Sequence, residues 1–385
     1  MLIGRSILVV GAGIGGLAAA CCLAQRGASV RVLEQAEEIR AFGAGLQLSP
    51  NGMATLAGLG LAEEISAISP RANAVYLRDF RKGAAVARVP LSRHGRPYHY
   101  VHRADLIEIL ASRARDLGVE ITLGAAVTGV EGRDVILADG QRESADVIVG
   151  ADGLHSRIRT HLEPRGHPFF TGQVAWRAVI EAQQGDALRD VQVFMGPARH
   201  MVIYPLRGGT LINIVAVEEH DQWVKDSWSE RGDPAQLTGR FGDFCPEARA
   251  YLGRVTECYQ WGLFRHPVAR NWQNGQMVLL GDAAHPTLPF LAQGANMALE
   301  DAWILAARLS DTHDLSRALA EYEALRRPRT ARIVQAASDN ADHYHMRPSL
   351  LRVAAHTGLR MVTRYAPHLL AQRFEWIYGF DPTKS

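Results

Sequence analysis

Short apolar runs recur along the chain and alternate with stretches of helical periodicity. Residues 6–10 and 276–280 are largely apolar, which is typical of strands buried on both faces of a parallel sheet. A helix is predicted over 17–26, ended by Gly27, and a second strand over 29–33. A helix from about 101 to 118 and an apolar run at 145–150 repeat the alternation. The pattern predicts an α/β framework with a parallel sheet.

The middle of the chain has a different pattern. Alternating segments predict strands over 174–179, 191–195, 200–205 and 210–217, within a block that extends from about 168 to 272. Helical periodicity gives way to strand periodicity in this block, and the α/β pattern returns at 276. We therefore expect an antiparallel sheet inserted into the α/β framework.

The first strand leads directly into a glycine-rich loop. Gly11, Gly13 and Gly16 have GxGxxG spacing, and Glu34 follows the second strand. In such a loop the first glycine permits a tight turn, the second lets the backbone approach a pyrophosphate, and the third lets the helix pack on the strand. Glu34 is placed to accept hydrogen bonds from ribose hydroxyls. The motif predicts dinucleotide binding, against the alternative of a glycine-rich turn that binds nothing.

Composition narrows the class of protein. The chain has 385 residues, 47% of them hydrophobic, and a formal net charge of +2, which gives no indication of a nucleic-acid partner. The cysteines, Cys21, Cys22, Cys245 and Cys258, lack CxxC spacing, so we expect reduced thiols and assign no metal ligands. With neither a signal peptide nor a long apolar segment predicted, we expect a cytoplasmic protein without stable membrane insertion.

A second motif follows the late strand at 276–280. Asp282 stands at the carboxyl end of this strand, where open α/β sheets bind ligands, and its carboxylate can accept a hydrogen bond from a sugar-type hydroxyl. Gly294, Ala295 and Asn296 then begin a helix whose free N–H groups can stabilise negative charge. The alternative is a purely structural strand–turn–helix in which Asp282 caps the turn.

Three motifs in this order resemble the single-component, FAD-dependent aromatic hydroxylases, the class A flavoprotein monooxygenases. They are the GxGxxG loop with Glu34, the segment DVIVGADGLHSRIR around Asp152 and Gly153, and the segment GDAAHPTLPFLAQGANMALEDA. Ala175-Trp176-Arg177, HMVIYPLRGG and RRPR at 326–329 are most similar to the members that act on salicylate, 3-hydroxybenzoate and 6-hydroxynicotinate.

The resemblance implies a function and a domain organisation. It implies oxidation of NADH or NADPH and O2-dependent hydroxylation of a phenolic or hydroxylated heteroaromatic acid through a C4a-hydroperoxyflavin. It also implies a Rossmann-like FAD-binding domain of the GR2 type, an inserted antiparallel β-sheet domain for the substrate, and a C-terminal helical segment. We assign residues 1–70, 100–167 and 275–335 to the first, 71–99 and 168–274 to the second, and 336–385 to the third.

The resemblance also indicates further cofactor residues. Asp152 is expected to contact the cofactor, with Arg157 and Arg159 as neighbouring cations. Arg103, at the start of a helix, can reach a pyrophosphate, unless it forms an ion pair with Asp105 or another carboxylate. Gln47 is a further candidate. Three late residues are expected to have other roles, His285 as part of the cofactor loop and Glu300 and Asp301 as a helix cap or solvated pair.

Catalysis is expected in the inserted sheet. Electrophilic hydroxylation needs an electron-rich ring, and deprotonating a phenol with a base that works near neutral pH provides one. His200 and Tyr204 are four residues apart on a strand, so both face one side, and they match the His and Tyr that contact the substrate hydroxyl in the relatives. We predict His200 as the base and Tyr204 as its hydrogen-bond partner; a buried histidine satisfied by backbone is the alternative.

The chain departs from these relatives at one place. Where they have a glutamine or histidine in the loop after GDAAHP, this chain has Pro289 and Phe290, which cannot donate to a carboxylate. Either Arg177 or Arg199 holds the substrate carboxylate, or the substrate is less polar than a simple hydroxybenzoate. The departure keeps open a hydroxylase of a larger apolar aromatic, of the quinone-biosynthesis or polyketide type.

Two further classes of function remain open at this point. A protein that only binds flavin would keep all three motifs, and an NAD-dependent dehydrogenase would need only the GxGxxG loop. The amphipathic C-terminal segment is expected to pack on the FAD-binding domain, to form a contact in a homodimer, or to touch a membrane surface.

Overall fold

A computed structural model of the chain describes residues 2–39, 44–91, 96–164, 166–186, 188–220, 230–346 and 350–385. The strands are β1 Ser6–Val10, β2 Ser29–Leu33, β3 Gly45–Leu48, β4 Arg71–Ala72, β5 Ala74–Asp79, β6 Ala85–Pro90, β7 Tyr98–His102, β8 Glu120–Thr122, β9 Val127–Glu131, β10 Asp134–Leu137, β11 Arg142–Glu143, β12 Val147–Gly150, β13 Phe169–Glu181, β14 Val191–Gly196, β15 Arg199–Leu206, β16 Leu211–Glu219, β17 Arg231–Gly232, β18 Cys258–Arg265 and β19 Met277–Leu279. The α-helices are α1 Ile14–Ala24, α2 Pro50–Gly58, α3 Ala62–Ile68, α4 Arg103–Asp116, α5 Arg157–Leu162, α6 Pro234–Arg240, α7 Pro246–Leu252, α8 Gly294–Asp311, α9 Leu315–Tyr344, α10 Leu350–Tyr365, α11 Pro367–Gln372 and α12 Glu375–Tyr378.

A parallel sheet with the strand order β19-β12-β1-β2-β8 forms the framework. Helix α1 packs against α4 and α8, and its residues Leu17 to Leu23 are all 0% exposed. Such a helix, apolar on every side, is stable because neighbouring elements surround it. The α/β framework predicted from the apolar runs is therefore confirmed.

A second sheet has the order β17-β18-β13-β16-β15-β14-β5-β6. Its pairs are antiparallel, except that β5 lies parallel to β14. The four strands predicted in the middle block correspond to β13, β14, β15 and β16, and the structure extends each of them by one or more residues. The inserted sheet is thus confirmed, with one parallel pair that its local sequence pattern does not reveal.

The two faces of this second sheet have different environments. Because side chains alternate along a strand, Met201 and Ile203 face one side and His200 and Tyr204 face the other. Met201 and Ile203 belong to an apolar core that includes Phe241 and Phe244, next to helices α6 and α7. The opposite face is left for the site described below.

The C-terminal helices divide between the two layers. Helices α10 and α11 pack against β6, the edge strand of the second sheet, and cover an edge that would otherwise expose backbone groups. Helix α12 packs against α2, while residues 382–384 contact α2 and α8 of the framework. The expectation of a helix on the α/β framework is therefore wrong for α10 and α11. Among the described residues, every helix is too short or too polar to cross a bilayer.

Candidate active site

The glycine-rich loop turns between β1 and α1, and its three glycines have different surroundings. A Cβ added at Gly16 would lie 1.9 Å from the carbonyl oxygen of Gly11, and one added at Gly11, where φ is +104°, would lie 2.5 Å from that of Ala151. A Cβ added at Gly13 would meet nothing within 4 Å. Gly11 and Gly16 are thus required by the packing of the fold. Gly13 instead keeps backbone open toward empty space, as a bound pyrophosphate needs.

Glu34 lies directly beside this loop. Its Oε2 accepts a hydrogen bond from the backbone N–H of Ala12 at 2.7 Å, and its Oε1 accepts one from the N–H of Ala36 at 2.9 Å. A carboxylate has about four acceptor positions, so both oxygens can still accept ribose hydroxyls. The side chain is half-buried at the carboxyl end of β2, the location the motif predicts.

Arg103 begins α4, and its backbone N–H donates to the carbonyl of Ala44 at 2.8 Å. Among the described residues its buried Nε has no hydrogen-bond partner. Asp105 pairs instead with Arg207, at 2.9 and 2.6 Å, so the alternative of an Arg103–Asp105 ion pair is wrong. An unpartnered guanidinium nitrogen at a helix start is suited to bind a phosphate.

Asp152 turns toward backbone rather than toward cations. Its Oδ2 accepts from the N–H of Arg157 at 2.7 Å and of Ile158 at 3.4 Å, at the start of α5. Arg159 instead bonds Glu163 and the carbonyl of Pro267, so the expected group of one carboxylate and two neighbouring cations is not formed. Burial raises the pKa of Asp152, and its Oδ1 is buried without a partner among the described residues. That oxygen remains available to a ligand.

Asp282 lies in the loop that follows β19. Its side chain is exposed, while the loop around it is buried. The backbone N–H of Gly281 donates to Asp301 Oδ2 at 3.1 Å, and His285 Nε2 lies 2.5 Å from the same oxygen. Asp301 therefore fixes both ends of the loop that presents Asp282.

The start of α8 leaves backbone donors open. Helix α8 begins at Gly294, and no side chain of the described part of the chain caps its N-terminus. Ala292, just before it, has a left-handed backbone with φ +51°, which is unfavourable for a residue with a side chain. Asn296 holds this turn, since its Nδ2 donates to the carbonyls of Ala292 and Gln47 and its Oδ1 accepts from the N–H of Ser49. The side chain of Asn296 is thus structural, which leaves its backbone N–H as the group available to a ligand.

Gln47 faces the same region from β3. Its Oε1 accepts a hydrogen bond from the hydroxyl of Tyr98 at 2.8 Å, and its backbone carbonyl accepts the bond from Asn296. These contacts bring Gln47 and Asn296 together, although they are 249 residues apart in sequence.

Glu300 and Asp301 are both 0% exposed, so the expectation of a cap or solvated pair is wrong. Arg326 lies between them, with Nη1 2.6 Å from Glu300 and Nε 2.7 Å from Asp301, and Arg329 bonds Glu300 at 2.8 Å. Burial opposes ionisation of Asp301, but the charges of His285 and Arg326 outweigh it and lower its pKa to about 2. The carboxylates are therefore charged and compensated.

Sequence reasoning missed this buried cluster of charges. Asn51 joins it, since its Nδ2 donates to Glu300 at 2.6 Å and to Gln293 at 3.0 Å. A signal was present: Glu300 and Asp301 lie on a helix with apolar positions before and after them, and the arginines of the RRPR segment follow on the next helix. Buried charges need partners, which points to a pairing between the two helices.

His200 lies on the open face of the second sheet and is 2% exposed. Its Nδ1 is 2.7 Å from Nε2 of His345, and its ring packs near Phe290 and Tyr344, with centroids 5.7 and 5.1 Å apart. Burial and the neighbouring His345 lower the pKa of His200 well below the usual value, so the ring is neutral. The alternative of a histidine satisfied by backbone is wrong, because its partner is a side chain.

Tyr204 is not the hydrogen-bond partner of His200. It lies beside Asn213, whose Oδ1 accepts from the backbone N–H of Gly45 at 2.8 Å, and a Cβ added at Gly45 would meet the Tyr204 ring at 2.6 Å. Four strand residues span about 13 Å, so His200 and Tyr204 stand at the two ends of a row of side chains on this face, with Val202 between them, instead of bonding each other. Burial raises the pKa of Tyr204, which therefore stays protonated.

Arg177 lies on the same face as these residues. Arg177 is paired across the sheet with Val215 of β16, and Val215 is paired with Val202 of β15. Since Val202 lies between His200 and Tyr204 on β15, Arg177 is level with the middle of the segment that separates them. Burial, with the charge of Arg103, lowers its pKa to about 10, and its guanidinium stacks 4.8 Å from the Trp261 ring. Arg177 is still charged at neutral pH and lies in the row between those of His200 and Tyr204.

Arg199 has a different location. Its guanidinium bonds Asp243 at 2.9 Å and packs on Phe241 and Phe244, on the opposite side of the sheet. The alternative of Arg199 as a carboxylate ligand is therefore wrong. Phe290 is 7% exposed and lies in an apolar cluster with Leu288 and Trp261, whereas Pro289 is exposed. Phe290 thus forms an apolar surface beside His200.

These residues fit FAD. The open backbone at Gly13, the unpartnered Nε of Arg103, the exposed carboxylate of Asp282 and the free N–H groups at the start of α8 provide donors and acceptors for its phosphates, sugar and ring. The sheet face that carries His200, Arg177 and Tyr204 is separate from the glycine-rich loop, and its imidazole, guanidinium and phenol are suited to contact an aromatic ligand. The fold and site together define a flavin enzyme with an aromatic substrate.

Comparisons with known proteins agree with this class. Residues 5–337 match the model of the family described as FAD binding domain. The chain is 39% identical to 3-amino-4-hydroxybenzoate 2-monooxygenase of Streptomyces cremeus, covering 97% of this chain and 94% of that protein. It is 34% identical to 3-hydroxybenzoate 6-hydroxylase of Polaromonas naphthalenivorans, covering 97% and 96%. The structure of Klebsiella pneumoniae HpxO with FAD and uric acid matches with a TM-score of 0.86 and 26% identity, covering 98% of each chain.

The chain belongs to this FAD-binding family. It is an FAD-dependent aromatic-ring monooxygenase that uses NADH or NADPH as co-substrate, together with O2 and an aromatic substrate. The predicted resemblance to the class A flavoprotein monooxygenases is confirmed. A protein that only binds flavin and an NAD-dependent dehydrogenase are both excluded as alternatives.

Proposed function

We propose that the substrate is 3-amino-4-hydroxybenzoate or a benzoic acid with the same pattern of amino and hydroxyl groups, hydroxylated next to the amine. The observation that carries this proposal is the 39% identity, along almost the whole of both chains, to the Streptomyces cremeus enzyme with this name. The larger apolar substrate is less well supported, since a charged Arg177 faces the site.

The site residues have distinct roles in this proposal. Arg177 binds the substrate carboxylate, a pairing in which a guanidinium can donate two hydrogen bonds. Phe290 packs on the ring, and the row formed by Val202 and Val215 lies beneath it. His200 accepts a proton from the substituent that donates electrons to the attacked carbon, and the hydroxyl of Tyr204 orients the ring from the other end.

The chemistry explains why a base is needed. When bound and reduced, FAD activates O2 and supplies the oxygen atom. The attacked carbon at position 2 is adjacent to the amine, so positive charge develops on the amine nitrogen, and a base that removes an N–H proton stabilises the transition state. The hydroxyl at position 4 is not conjugated with position 2, and its deprotonation would activate other carbons.

The cofactor residues and domain limits also belong to this proposal. Gly11, Gly13, Gly16, Glu34, Gln47, Arg103, Asp152 and Asp282 bind FAD with the backbone of Gly294, Ala295 and Asn296. The substrate space, including Arg177, Pro289 and Phe290, belongs to the domain formed by residues 71–99 and 168–274 with the loop after β19. A homodimer and a cytoplasmic location stay predictions.

The experiment is a comparison of matched aromatic acids with the FAD-loaded enzyme. We expect 3-amino-4-hydroxybenzoate to stimulate NADH or NADPH oxidation and to give a product hydroxylated at position 2. As a control, 4-hydroxybenzoate lacks the amine and should give little hydroxylation. Faster and tightly coupled hydroxylation of 3-hydroxybenzoate, 6-hydroxynicotinate or a bulky apolar phenol would overturn the proposed substrate.

A further inference from the structure

His200 is the first member of a chain of three side chains that leads away from the substrate space. His200 Nδ1 lies at the hydrogen-bond distance of 2.7 Å from His345 Nε2, and His345 Nδ1 lies 3.4 Å from Glu219 Oε1, an ion-pair distance without hydrogen-bond geometry. The side chain of His345 is 3% exposed, whereas that of Glu219 is 37% exposed. The chain therefore connects a buried imidazole to a carboxylate in contact with solvent.

The backbone fixes this arrangement. The carbonyl of His345 accepts a hydrogen bond from the N–H of Ala198 at 3.2 Å, and the carbonyl of Ala198 accepts one from the N–H of Glu219 at 2.8 Å. Ala198 has a left-handed backbone with φ +56° in the turn between β14 and β15. Ala198 thus connects the residue that follows α9 to β16. Its strained backbone holds His345 and Glu219 next to each other.

We infer that His345 and Glu219 form a proton relay that carries the substrate proton from His200 to solvent. The inference rests on the proposed role of His200 as the base. His345 is a positioning residue, because it acts through His200 and does not itself touch the substrate. The three side chains of the relay all lie outside the glycine-rich loop and the segment GDAAHPTLPFLAQGANMALEDA.

Burial gives the physical reason for a relay. A protonated imidazole without a carboxylate partner is costly in an apolar site, and the partner of His200 is another imidazole. A base that must hold the proton at this position would be weak. If His200 gives its Nδ1 proton to His345 as its Nε2 accepts the substrate proton, its ring stays neutral. The burial of His200 then does not oppose the reaction.

The proton transfers balance as follows. The substrate N–H or O–H gives its proton to Nε2 of His200, and the Nδ1 proton of His200 moves to Nε2 of His345. The Nδ1 proton of His345 moves to the carboxylate of Glu219, which returns it to water. The substrate loses one proton, both histidines end neutral with the other tautomer, and Glu219 regains its charge.

Other charged groups near the pair have their own partners. Arg199, next to His200 on β15, bonds Asp243 on the far side of the sheet. Glu218, next to Glu219, accepts from the indole N–H of Trp176 at 3.1 Å. Arg352 of α10 donates to the carbonyl of Met195 and lies 3.5 Å from Asp79. Glu219 is the carboxylate that the structure places at the ring of His345.

The test compares three variants of the FAD-loaded enzyme with wild type. His345→Gln keeps a side chain that can donate and accept hydrogen bonds but cannot pass a proton from one ring nitrogen to the other. Glu219→Gln removes the final acceptor. His356→Gln is the matched control, because His356 is a buried histidine of α10 outside the relay. Circular dichroism and flavin absorbance establish folding and FAD occupancy for each variant.

Two readouts report the proton transfer. The first is the single-turnover rate of product formation from 3-amino-4-hydroxybenzoate as a function of pH, measured in H2O and in D2O. The second, independent of turnover, is the rate at which bound 3-hydroxy-4-nitrobenzoate, whose hydroxyl takes the position of the substrate's amine, ionises, followed by the yellow colour of its phenolate. We expect His345→Gln to slow both by about 10-fold or more, Glu219→Gln to slow both by a smaller factor, and His356→Gln to match wild type.

The outcomes separate this inference from the proposed function. If His345→Gln binds FAD, forms product and ionises the nitrophenol at wild-type rates, His345 only packs against His200 and the relay is overturned. If His345→Gln fails to fold, His345→Ala with added imidazole replaces it, and a lack of recovery with imidazole also contradicts the relay. Failure of the wild-type enzyme to hydroxylate any aminohydroxybenzoate overturns the proposed substrate, while nitrophenol ionisation still tests the relay.

Discussion

Two buried histidines of this enzyme, His285 and His200, have opposite kinds of partner. His285 is 0% exposed and lies 2.5 Å from the carboxylate of Asp301, within a cluster of compensated charges behind the cofactor loop. His200 is 2% exposed and lies 2.7 Å from another imidazole. A carboxylate partner holds the imidazole of His285 in one orientation, which suits a structural clamp, whereas the imidazole partner of His200 keeps that ring neutral and able to exchange protons. Because both histidines are buried, the partner of each one decides whether it is structural or exchanges protons.

The largest expected effect comes from breaking the charged cluster. Arg326→Ala leaves Glu300 and Asp301 buried without their shared cation, which should cost about 3–5 kcal/mol in the free energy of unfolding. Urea denaturation followed by circular dichroism measures this loss, and flavin absorbance measures the accompanying loss of FAD. The control is Arg317→Ala, an exposed arginine paired with Glu321, which should leave stability and FAD content unchanged. Equal stability of both variants would contradict a structural role for the cluster.

The next prediction concerns hydroxylation. His200→Gln should lower the rate of product formation by about 10²–10⁴-fold, because the base is lost, while FAD content stays at the wild-type level. NADH or NADPH oxidation continues in this variant and yields hydrogen peroxide in place of product. Rapid-quench product analysis and a peroxide assay measure both. His285→Gln should behave differently, with loss of FAD as its first effect.

Acid titration sharpens the comparison further. The folded-state pKa of Asp301 is about 2, below its ordinary value of 3.8, so its contribution to stability is present above about pH 4 and is lost as pH falls toward 2. Asp301→Asn should remove this part of the pH dependence. Thermal unfolding between pH 2 and 5 measures it. A parallel shift of the whole curve, with its slope unchanged, would show that Asp301 does not titrate in this way.

The smallest effect is expected from a substitution at Gly13 of the glycine-rich loop. Gly13→Ala should leave the stability of the FAD-free protein unchanged, since its Cβ would meet no atom within 4 Å, but should weaken FAD binding by about 10-fold or more. Gly16→Ala is the matched control for a glycine that the fold requires, and it should destabilise the FAD-free protein, since its Cβ would clash with the carbonyl oxygen of Gly11. Titration of the FAD-free protein with FAD tests the pair. Unchanged FAD affinity in Gly13→Ala would contradict the proposed approach of the pyrophosphate.

Much of the fold is predictable because its signals are local. The strands, the glycine-rich loop and the position of Glu34 can be predicted, because each depends on a pattern of residues that are close together in the sequence. The inserted sheet is visible for the same reason. The position of α10 and α11 cannot be predicted in this way. An amphipathic helix can cover any apolar surface, and its sequence does not specify that the surface is β6.

The contacts inside the site are harder to predict. His345 is 145 residues from His200, and Arg326 is 25 residues from Asp301 on the next helix, so no local pattern connects either pair. Glu300 and Asp301 have the composition of a solvated helix surface, and only their partners show that they are buried. Tyr204 was assigned to the correct face of the sheet, since alternation is local, but to the wrong hydrogen-bond partner.

The account depends most on His200 as the base for ring hydroxylation. The direct measurement is incorporation of labelled oxygen from ¹⁸O2 into 3-amino-4-hydroxybenzoate by wild type and by His200→Gln, both fully loaded with FAD. We predict one labelled oxygen atom per product molecule in wild type, with product nearly absent and hydrogen peroxide formed in the variant. Labelled product formed by the variant at the wild-type rate would contradict the account.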